Sequence, residues 1–226
     1  MKSLILTLGC LAGAGMVLTA APVYRNGFSE TAVGQLPDDL LVMDGQFAVQ
    51  EVEGNKVLEL PGAPLETFGV LFGPSLKDAV AVSARMHGTS KGRRFPAFAV
   101  SLGGVGGYKL QVSPAKQAIE ILKGEESVAS TPFSWKPDSW TRLRLEIRRT
   151  GEGRWQIAGK VWPDGETEPA NWTLTLTTTT EPVAGKSGVW GKPFSGTPIR
   201  FDDLSVETSE PITGDSRSSP GYSPRS

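Results

Sequence analysis

Apolar side chains recur at every second position in two consecutive stretches of the sequence, 143–147 and 155–161. Such period-two alternation is the pattern of a β-strand with one buried face. The residues between the stretches, 150–153, include two glycines, and alternating runs joined by a glycine-containing turn predict an antiparallel hairpin. The apolar positions of the two runs are Leu143, Leu145, Ile147, Trp155, Ile157 and Val161.

Shorter alternating runs occupy most of the remaining sequence, and turn residues separate them. The chain of 226 residues contains 27 glycines and 17 prolines, and no stretch sustains the 3.6-residue period of a helix. The spacing of the runs predicts about twelve to fourteen strands. We therefore predict an all-β protein, a β-sandwich in one domain over residues 22–208. A β-propeller is the competing architecture, although no repeat of blade length is visible.

The two ends of the chain differ from this pattern. Lys2 precedes an apolar stretch, 4–18, and small residues follow at 19–21, which predicts a signal peptide over residues 1–21 with cleavage after Ala20 or Ala21. The apolar stretch is short for a spanning helix and no second one follows, so we expect no membrane insertion after cleavage. Lipidation at Cys10 is an alternative, although Thr7 stands where such sites usually have leucine. Residues 209–226 are rich in Ser, Pro and Gly and predict a disordered tail.

Cysteine usage and charge exclude several classes of function. Cys10 is the only cysteine, so the exported domain has no disulfide, no thiolate zinc site and no cysteine nucleophile. The formal net charge of −1 predicts no binding to nucleic acid. Export without disulfides is typical of bacteria, and we expect the protein in the periplasm, at the cell surface or outside the cell.

Several motifs resemble the concanavalin A-like lectin/glucanase superfamily, and more closely the laminin-G-like jelly rolls that include the bacterial 3-keto-disaccharide hydrolase domain. They are the alternating run from Trp140, then GKVW ending at Trp162, EPANW ending at Trp172, GVWG at 188–191 and PIRFDDLSV at 198–206. The resemblance implies an all-β, two-sheet antiparallel jelly-roll sandwich with stacked, curved sheets. It also implies that a ligand would bind on the concave face or at the rim loops.

On this resemblance, we expect a carbohydrate-binding or carbohydrate-associated module. A glycoside-processing enzyme of the 3-keto-disaccharide type and a structural or adhesion domain with an unidentified protein partner are the alternatives. The candidate sugar contacts are polar side chains on one predicted strand, a basic loop residue and two tryptophans, because planar polar groups bind hydroxyls and aromatic rings cover the apolar faces of sugars. These candidates are Arg85, His87, Arg94, Trp162 and Trp190.

The sequence assigns no catalytic residue. It leaves open whether the protein is an enzyme and favours a function without catalysis. Glucanases of this superfamily carry the strand motif E-x-D-x-x-E, whose carboxylates lie on one face. The nearest string here, 120–125, has Leu122 in place of the middle acid. His87 is the only histidine and no G-x-S-x-G motif accompanies it, which argues against a triad.

The last predicted strand contains a break in its alternation. Ile199 and Phe201 occupy odd positions whereas Leu204 and Val206 occupy even ones, so one extra residue must be accommodated in a β-bulge at 202–203. The acids there are candidate ligands for a hard cation. The resemblance implies a structural calcium ion between a first-strand acid and a last-strand aspartate. Glu30, Asp202 and Asp203 are the candidate ligands, and solvated carboxylates are the alternative.

Overall fold

The computed structural model describes residues 22–64, 66–194 and 196–208. The predicted signal peptide, Cys10 and the predicted tail lie outside these residues. The described chain forms fifteen β-strands and one short 3-10 helix, Pro114–Lys116. The strands are β1 (Pro22–Asn26), β2 (Leu41–Asp44), β3 (Ala48–Val52), β4 (Asn55–Leu60), β5 (Phe68–Leu76), β6 (Val80–Gly88), β7 (Ala97–Leu102), β8 (Tyr108–Ser113), β9 (Ala118–Lys123), β10 (Glu126–Pro132), β11 (Ser139–Gly151), β12 (Arg154–Pro163), β13 (Leu174–Thr178), β14 (Gly185–Lys192) and β15 (Ile199–Thr208).

Two antiparallel sheets stack to form a sandwich. Sheet I has eight strands in the order β13-β12-β11-β6-β15-β4-β3, and β1 also pairs with β15. Sheet II has seven strands in the order β10-β9-β8-β7-β14-β5-β2. This arrangement confirms the predicted all-β jelly-roll sandwich and excludes the propeller. No helix in the described ranges is long and apolar enough to cross a membrane.

The predicted hairpin is formed by β11 and β12, and its alternation has the predicted faces. Leu143, Leu145 and Ile157 are fully buried between the sheets, whereas Arg142 and Arg144 point outward and form ion pairs there. Gly159 lies opposite Leu145, and a side chain at Gly159 would overlap Leu110 of sheet II. The two sheets therefore approach each other closely at the centre of this hairpin.

The predicted bulge in β15 is also confirmed. Asp202 pairs with Arg85 and Ser205 pairs with Ser83, so three steps along β15 match two along β6. The extra residue is accommodated at Asp203, whose φ of 51° is in the left-handed region. Before the bulge β15 pairs with β4, and after it β15 pairs with β1. The bulge thus marks the point where β15 changes its neighbour.

Candidate functional site

Charged and aromatic side chains cover the outward face of sheet I. Trp162, Arg142, Arg85 and Asp202 occupy directly paired positions on β12, β11, β6 and β15. The alternation that buries the apolar residues of these strands places this row on the opposite surface. Four consecutive strands therefore present one continuous polar row outside the core.

Two arginines and three aspartates of this face form the arginine–aspartate cluster: Arg85, Arg142, Asp164, Asp202 and Asp203. The Arg85 guanidinium donates to Asp202 Oδ2 at 2.7 Å and to Asp164 Oδ2 at 2.9 Å. The Arg142 guanidinium donates to Asp164 Oδ1 and, at 2.8 Å, to Asp203 Oδ2. Because Asp164 receives both arginines, it holds the guanidiniums of two adjacent strands in fixed positions.

All members of the cluster with shifted pKa values are held in their charged forms. Burial by itself would raise the pKa of Asp164, but hydrogen bonds from Arg85 and Arg142 outweigh burial and keep that pKa below its usual value. Burial would likewise lower the pKa of Arg85 and of Arg142, and their aspartate partners raise it instead. Charge-assisted hydrogen bonds between ionised side chains therefore hold the cluster together.

A groove of about 440 Å³ opens at the rim of the sandwich, next to this cluster. It lies between the loop that precedes β11, residues 133–138, and the loop that follows β12, residues 164–173. Two half-buried tryptophans, Trp135 and Trp140, lie in its wall. The residues that line this rim groove are Phe133, Ser134, Trp135, Lys136, Ser139, Trp140, Thr141, Pro163, Asp164 and Glu166.

Trp140 joins the rim groove to the polar row. The Arg85 guanidinium carbon lies 4.7 Å from the centre of the Trp140 ring, a cation–π distance, and the His87 ring lies 5.5 Å away. Burial and the positive charge of Arg200 lower the pKa of His87, so its imidazole is neutral at pH 7. These two contacts hold the indole in place, and Trp140 remains partly exposed towards the groove.

The structure brings three of the five predicted sugar contacts onto one face. Arg85 and His87 share the outward face of β6, and Trp162 lies in the same row on β12. Trp162 is only 7% exposed, so it offers little ring surface. Arg94 is exposed in the loop between β6 and β7, where its backbone pairs with Lys91 and belongs to neither sheet.

Trp190 lies on the other side of the molecule, on the outward face of sheet II, and is 6% exposed. A side chain at Gly69 would overlap one face of its ring, and the Lys109 ammonium lies 4.3 Å from the ring centre. Its Nε1 donates to Ser101 Oγ at 2.7 Å. Gly69 on the neighbouring strand has no side chain and therefore lets the ring lie flat on the sheet, so the glycines that flank Trp190 do not leave it approachable. No single groove unites Trp190 with Arg85, and the sugar-contact roles of the five residues stay predictions.

The sequence analysis did not identify Trp140, Trp135, Arg142 or Asp164 as site residues. Trp140 and Arg142 alternate with buried positions, so their outward direction was readable from the sequence. Asp164 belongs to a Pro-Asp-Gly turn, and its meeting with two arginines depends on how β12 packs against β11. No pattern within the loop 133–138 indicates that Trp135 forms a groove wall.

The predicted calcium ligands do not form a cation site as they are arranged here. Asp202 Oδ2 already accepts hydrogen bonds from Arg85 and, at 2.8 Å, from Asn55 Nδ2, while Oδ1 accepts from the Asp203 amide at 2.7 Å. A guanidinium in this position repels a cation. Glu30 is exposed and accepts a hydrogen bond from Ser29. In the part of the chain that the structure describes, no group of three or more His, Cys, Asp or Glu side chains is placed to hold a metal. Calcium binding stays a prediction.

Glu120 is the first acid of residues 120–125, the string nearest to the glucanase motif, and it lies buried on the outward face of sheet II. It accepts hydrogen bonds from Ser113 Oγ at 2.6 Å and from Lys116 Nζ at 2.9 Å. Burial would raise the pKa of Glu120, but these partners lower it below its usual value. Leu122 is buried on the same strand, in the place of the middle acid. Glu120 is therefore held by Ser113 and Lys116, and the position where the glucanase motif has a second carboxylate is occupied by Leu122.

Solved structures with the same fold include several proteins whose names refer to carbohydrates. The carbohydrate-binding module CBM66 from Bacillus subtilis has a TM-score of 0.51 and 14% identity, over 75% of this chain and 96% of that chain. The carbohydrate recognition domain of Emp47p has a TM-score of 0.56 and 13% identity, over 84% and 97%. The PL-14 alginate lyase from the marine Aplysia kurodai has a TM-score of 0.53 and 10% identity, over 84% and 100%.

These likenesses confirm the predicted two-sheet jelly roll as the fold of the chain. At identities of 10–14% they establish the architecture alone. In sequence, neither a protein-family model nor a curated protein matches the chain.

Proposed function

We propose that this protein is an exported carbohydrate-binding module whose ligand lies in the rim groove. The observation that carries the proposal is the pairing of two half-buried tryptophans, Trp135 and Trp140, with the fixed carboxylate of Asp164 in one open groove. The volume of about 440 Å³ is within the range of small-ligand sites. A groove of this size at the rim takes part of a glycan chain and leaves the rest in solvent.

The chemistry of the groove matches the two kinds of surface that a sugar ring presents. The C–H faces of a pyranose are apolar and pack against an indole, which contributes a large rigid surface. The hydroxyls at the ring edge need hydrogen-bond acceptors, which Asp164, Glu166 and Ser139 can supply, and donors, which the ammonium group of Lys136 can supply. Asp164 is already oriented by Arg85 and Arg142, so ordering it for a ligand costs little entropy.

The comparisons support a sugar ligand, because a carbohydrate-binding module and a carbohydrate recognition domain share the fold. The alginate lyase shows that the same architecture also occurs in an enzyme. In this chain the groove carboxylate Asp164 has a pKa below its usual value, whereas a general acid for glycoside cleavage needs a raised one. Asp164 is therefore suited to binding a ligand rather than to acting as the general acid of hydrolysis.

The test is a comparison of glycan binding by the wild-type chain and Trp140→Ala. On a glycan array the wild-type chain should retain a defined set of sugars, and calorimetry on the best of them should give roughly tenfold weaker binding for the variant, or about 1.4 kcal/mol. Trp172→Ala is the matched control, because Trp172 is a half-buried tryptophan that packs against Lys160 on the same sheet and does not line the groove.

Three outcomes would contradict the proposal in different ways. Equal affinities of Trp140→Ala and the wild-type chain would place the sugar elsewhere. Release of monosaccharides from a 3-keto-disaccharide would favour the hydrolase alternative. A chain that retains no glycan on the array but captures a defined protein would favour the adhesion alternative.

Export is part of the proposal, with residues 1–21 as the signal peptide and 22–208 as the mature domain. The support is the basic start, the apolar stretch and the small residues that precede Pro22. The mature protein, isolated from the periplasm or medium of a bacterial host, should begin at Ala21 or Pro22 when its N-terminus is sequenced. A mature chain that begins at Cys10 would show lipidation instead.

We propose no role for calcium in the rim groove, because Asp164 already pairs with two arginines. The predicted calcium site at Glu30, Asp202 and Asp203 concerns the stability of the sandwich. Melting experiments test it independently of sugar binding.

A further inference from the structure

A second cavity lies on the outward face of sheet I, beside the bulge of β15. Its volume is about 310 Å³, and side chains of β1, β6, β11 and β15 surround it. We call this cavity the bulge pocket. Its polar lining includes Arg25, Ser83, Arg142, Asp203, Ser205 and Glu207.

Ser205 has a hydroxyl group that the fold leaves without a partner. The residue is 9% exposed, and among the described residues no group forms a hydrogen bond with its buried Oγ. An unsatisfied buried hydroxyl costs about 1–3 kcal/mol, and native proteins contain few of them. Ser205 belongs to the pocket lining, so a ligand that enters the pocket and displaces the side chains covering Oγ is the available partner.

The charges around the pocket leave one guanidinium unneutralised. Arg142 donates to Asp203 at 2.8 Å, and Glu207 accepts from Arg144 at 2.8 Å, so both pocket acids already have basic partners. Arg25 is exposed, and within the described ranges no acidic side chain pairs with it. The pocket therefore offers one free positive charge on its edge.

We propose that the bulge pocket binds a single hexuronic acid residue. Its one carboxylate matches the planar guanidinium of Arg25, which binds carboxylates through two parallel hydrogen bonds. Its hydroxyls match the remaining acceptor capacity of Asp203 and Glu207 and the unpartnered Ser205 hydroxyl. A volume of about 310 Å³ is at the lower end for ligand sites and suits one ring. A phosphate or sulfate dianion suits the pocket less well, because Arg25 offers one free positive charge and the second negative charge would face the two lining carboxylates.

This pocket is separate from the rim groove, and the proposal does not depend on sugar binding there. One side chain connects the two, because Arg142 lines the bulge pocket and also donates to Asp164 in the groove wall. A uronic acid in the bulge pocket thus contacts the same cluster that orients the groove.

Calorimetric titration of the full chain with sodium D-glucuronate tests the proposal. D-glucose lacks the carboxylate and sodium acetate lacks the ring, so both should bind at least tenfold more weakly. Arg25→Gln should weaken glucuronate binding at least tenfold, because it removes the positive charge that pairs with the carboxylate. Arg25 is exposed, so the substitution does not open the core. Added salt should weaken binding to the wild-type chain, since the contact with Arg25 is exposed.

Ser205→Ala separates a role in binding from a role in folding. If the hydroxyl serves the ligand, its removal should leave the melting temperature unchanged or raise it, because an unsatisfied buried group is lost. The same variant should bind glucuronate several-fold more weakly. A lower melting temperature with unchanged affinity would show a structural role and overturn the assignment of this hydroxyl.

Trp140→Ala distinguishes the bulge pocket from the rim groove. The proposal expects glucuronate binding to be unchanged in Trp140→Ala and lost in Arg25→Gln, whether or not the groove binds neutral glycans. The reverse pattern would place the uronic acid in the groove and overturn the bulge-pocket site. Absence of binding by the wild-type chain at about 10 mM glucuronate would also overturn it, because any such site would then have an affinity weaker than millimolar.

Discussion

Arg85 contacts four other side chains on the outward face of sheet I. It pairs with Asp202 and Asp164, approaches Asp203 at 3.4 Å, and lies against the ring of Trp140. Asp202 is only 2% exposed, so its carboxylate depends on Arg85 and Asn55 for charge and hydrogen-bond compensation. At the scale of single residues, one guanidinium stabilises the buried acid and positions the groove tryptophan.

Asp164 leads to a prediction about pH. Its folded-state pKa is below the unfolded value of about 3.9, so its stabilising contribution is fully present above that value and is lost as pH falls through the folded pKa. Asp164→Asn should lower the free energy of unfolding by about 1.5–3 kcal/mol at pH 7, the range for hydrogen bonds to charged groups. Urea denaturation should show this gap as constant above pH 5 and narrower below pH 4.

Glu166→Gln is the control for this experiment, because Glu166 lines the same groove but is exposed. Its effect should remain within about 0.5 kcal/mol across the pH range. A gap between Asp164→Asn and the wild-type chain that persists unchanged to pH 2 would mean that the charge of Asp164 is not its source.

The bulge of β15 is the element that shapes the bulge pocket. It shifts Asp203 outward, towards Arg142, and returns Ser205 to the pocket beside β1. Asp203 pays a conformational cost, because its φ of 51° is unfavourable for residues with a Cβ, although aspartate tolerates it better than most. The extra residue between Phe201 and Leu204 makes this conformation unavoidable if both are to remain buried.

Two substitutions at position 203 measure that cost. Asp203→Gly and Asp203→Ala both remove the contacts with the arginines, and only glycine adopts a positive φ without strain. Asp203→Ala should therefore be about 1 kcal/mol less stable than Asp203→Gly in urea denaturation. An alanine variant as stable as the glycine variant would show that the backbone at 203 is not left-handed in solution.

At the scale of the whole molecule, the first and last strands pair with each other. β1 pairs with β15 after the bulge, so the two ends of the described chain are held in sheet I. The predicted calcium ion would strengthen this pairing of β1 with β15, because its candidate ligand Glu30 follows β1 and its candidate ligand Asp202 lies on β15.

Melting curves of the full chain decide the calcium prediction. If the predicted site holds calcium, the melting temperature should be higher in calcium than in chelator; coincident curves would reject the site and leave Arg85 and Asn55 as the groups that compensate Asp202. A rise of roughly 5–10 °C in calcium, corresponding to about 2.7 kcal/mol at a hundredfold excess over Kd, would establish the site. Asp202→Asn should then abolish that rise, and magnesium should replace calcium poorly.

Local patterns were sufficient for most of the strands, for the faces of β11 and β12 and for the bulge, although fifteen strands are present where twelve to fourteen were predicted and β1 was missed. Alternation at Leu143, Leu145 and Ile147 specifies a buried face, because successive side chains of a strand point to opposite sides. The change of parity between Phe201 and Leu204 requires one extra residue for the same reason. These features depend on neighbours within a few positions, so they were readable without knowledge of the fold, and the resemblance supplied the jelly-roll arrangement of the sandwich.

The composition of the site was decided by contacts between distant parts of the chain. Arg85 meets Asp202 across 117 positions and Asp164 across 79, because β6 lies between β11 and β15. The glycines beside Trp190 permit an exposed ring or a flat buried one, and only the approach of Gly69 and Lys109 selects the second. Strand order determines which side chains become neighbours, and no local pattern in this sequence specifies that order.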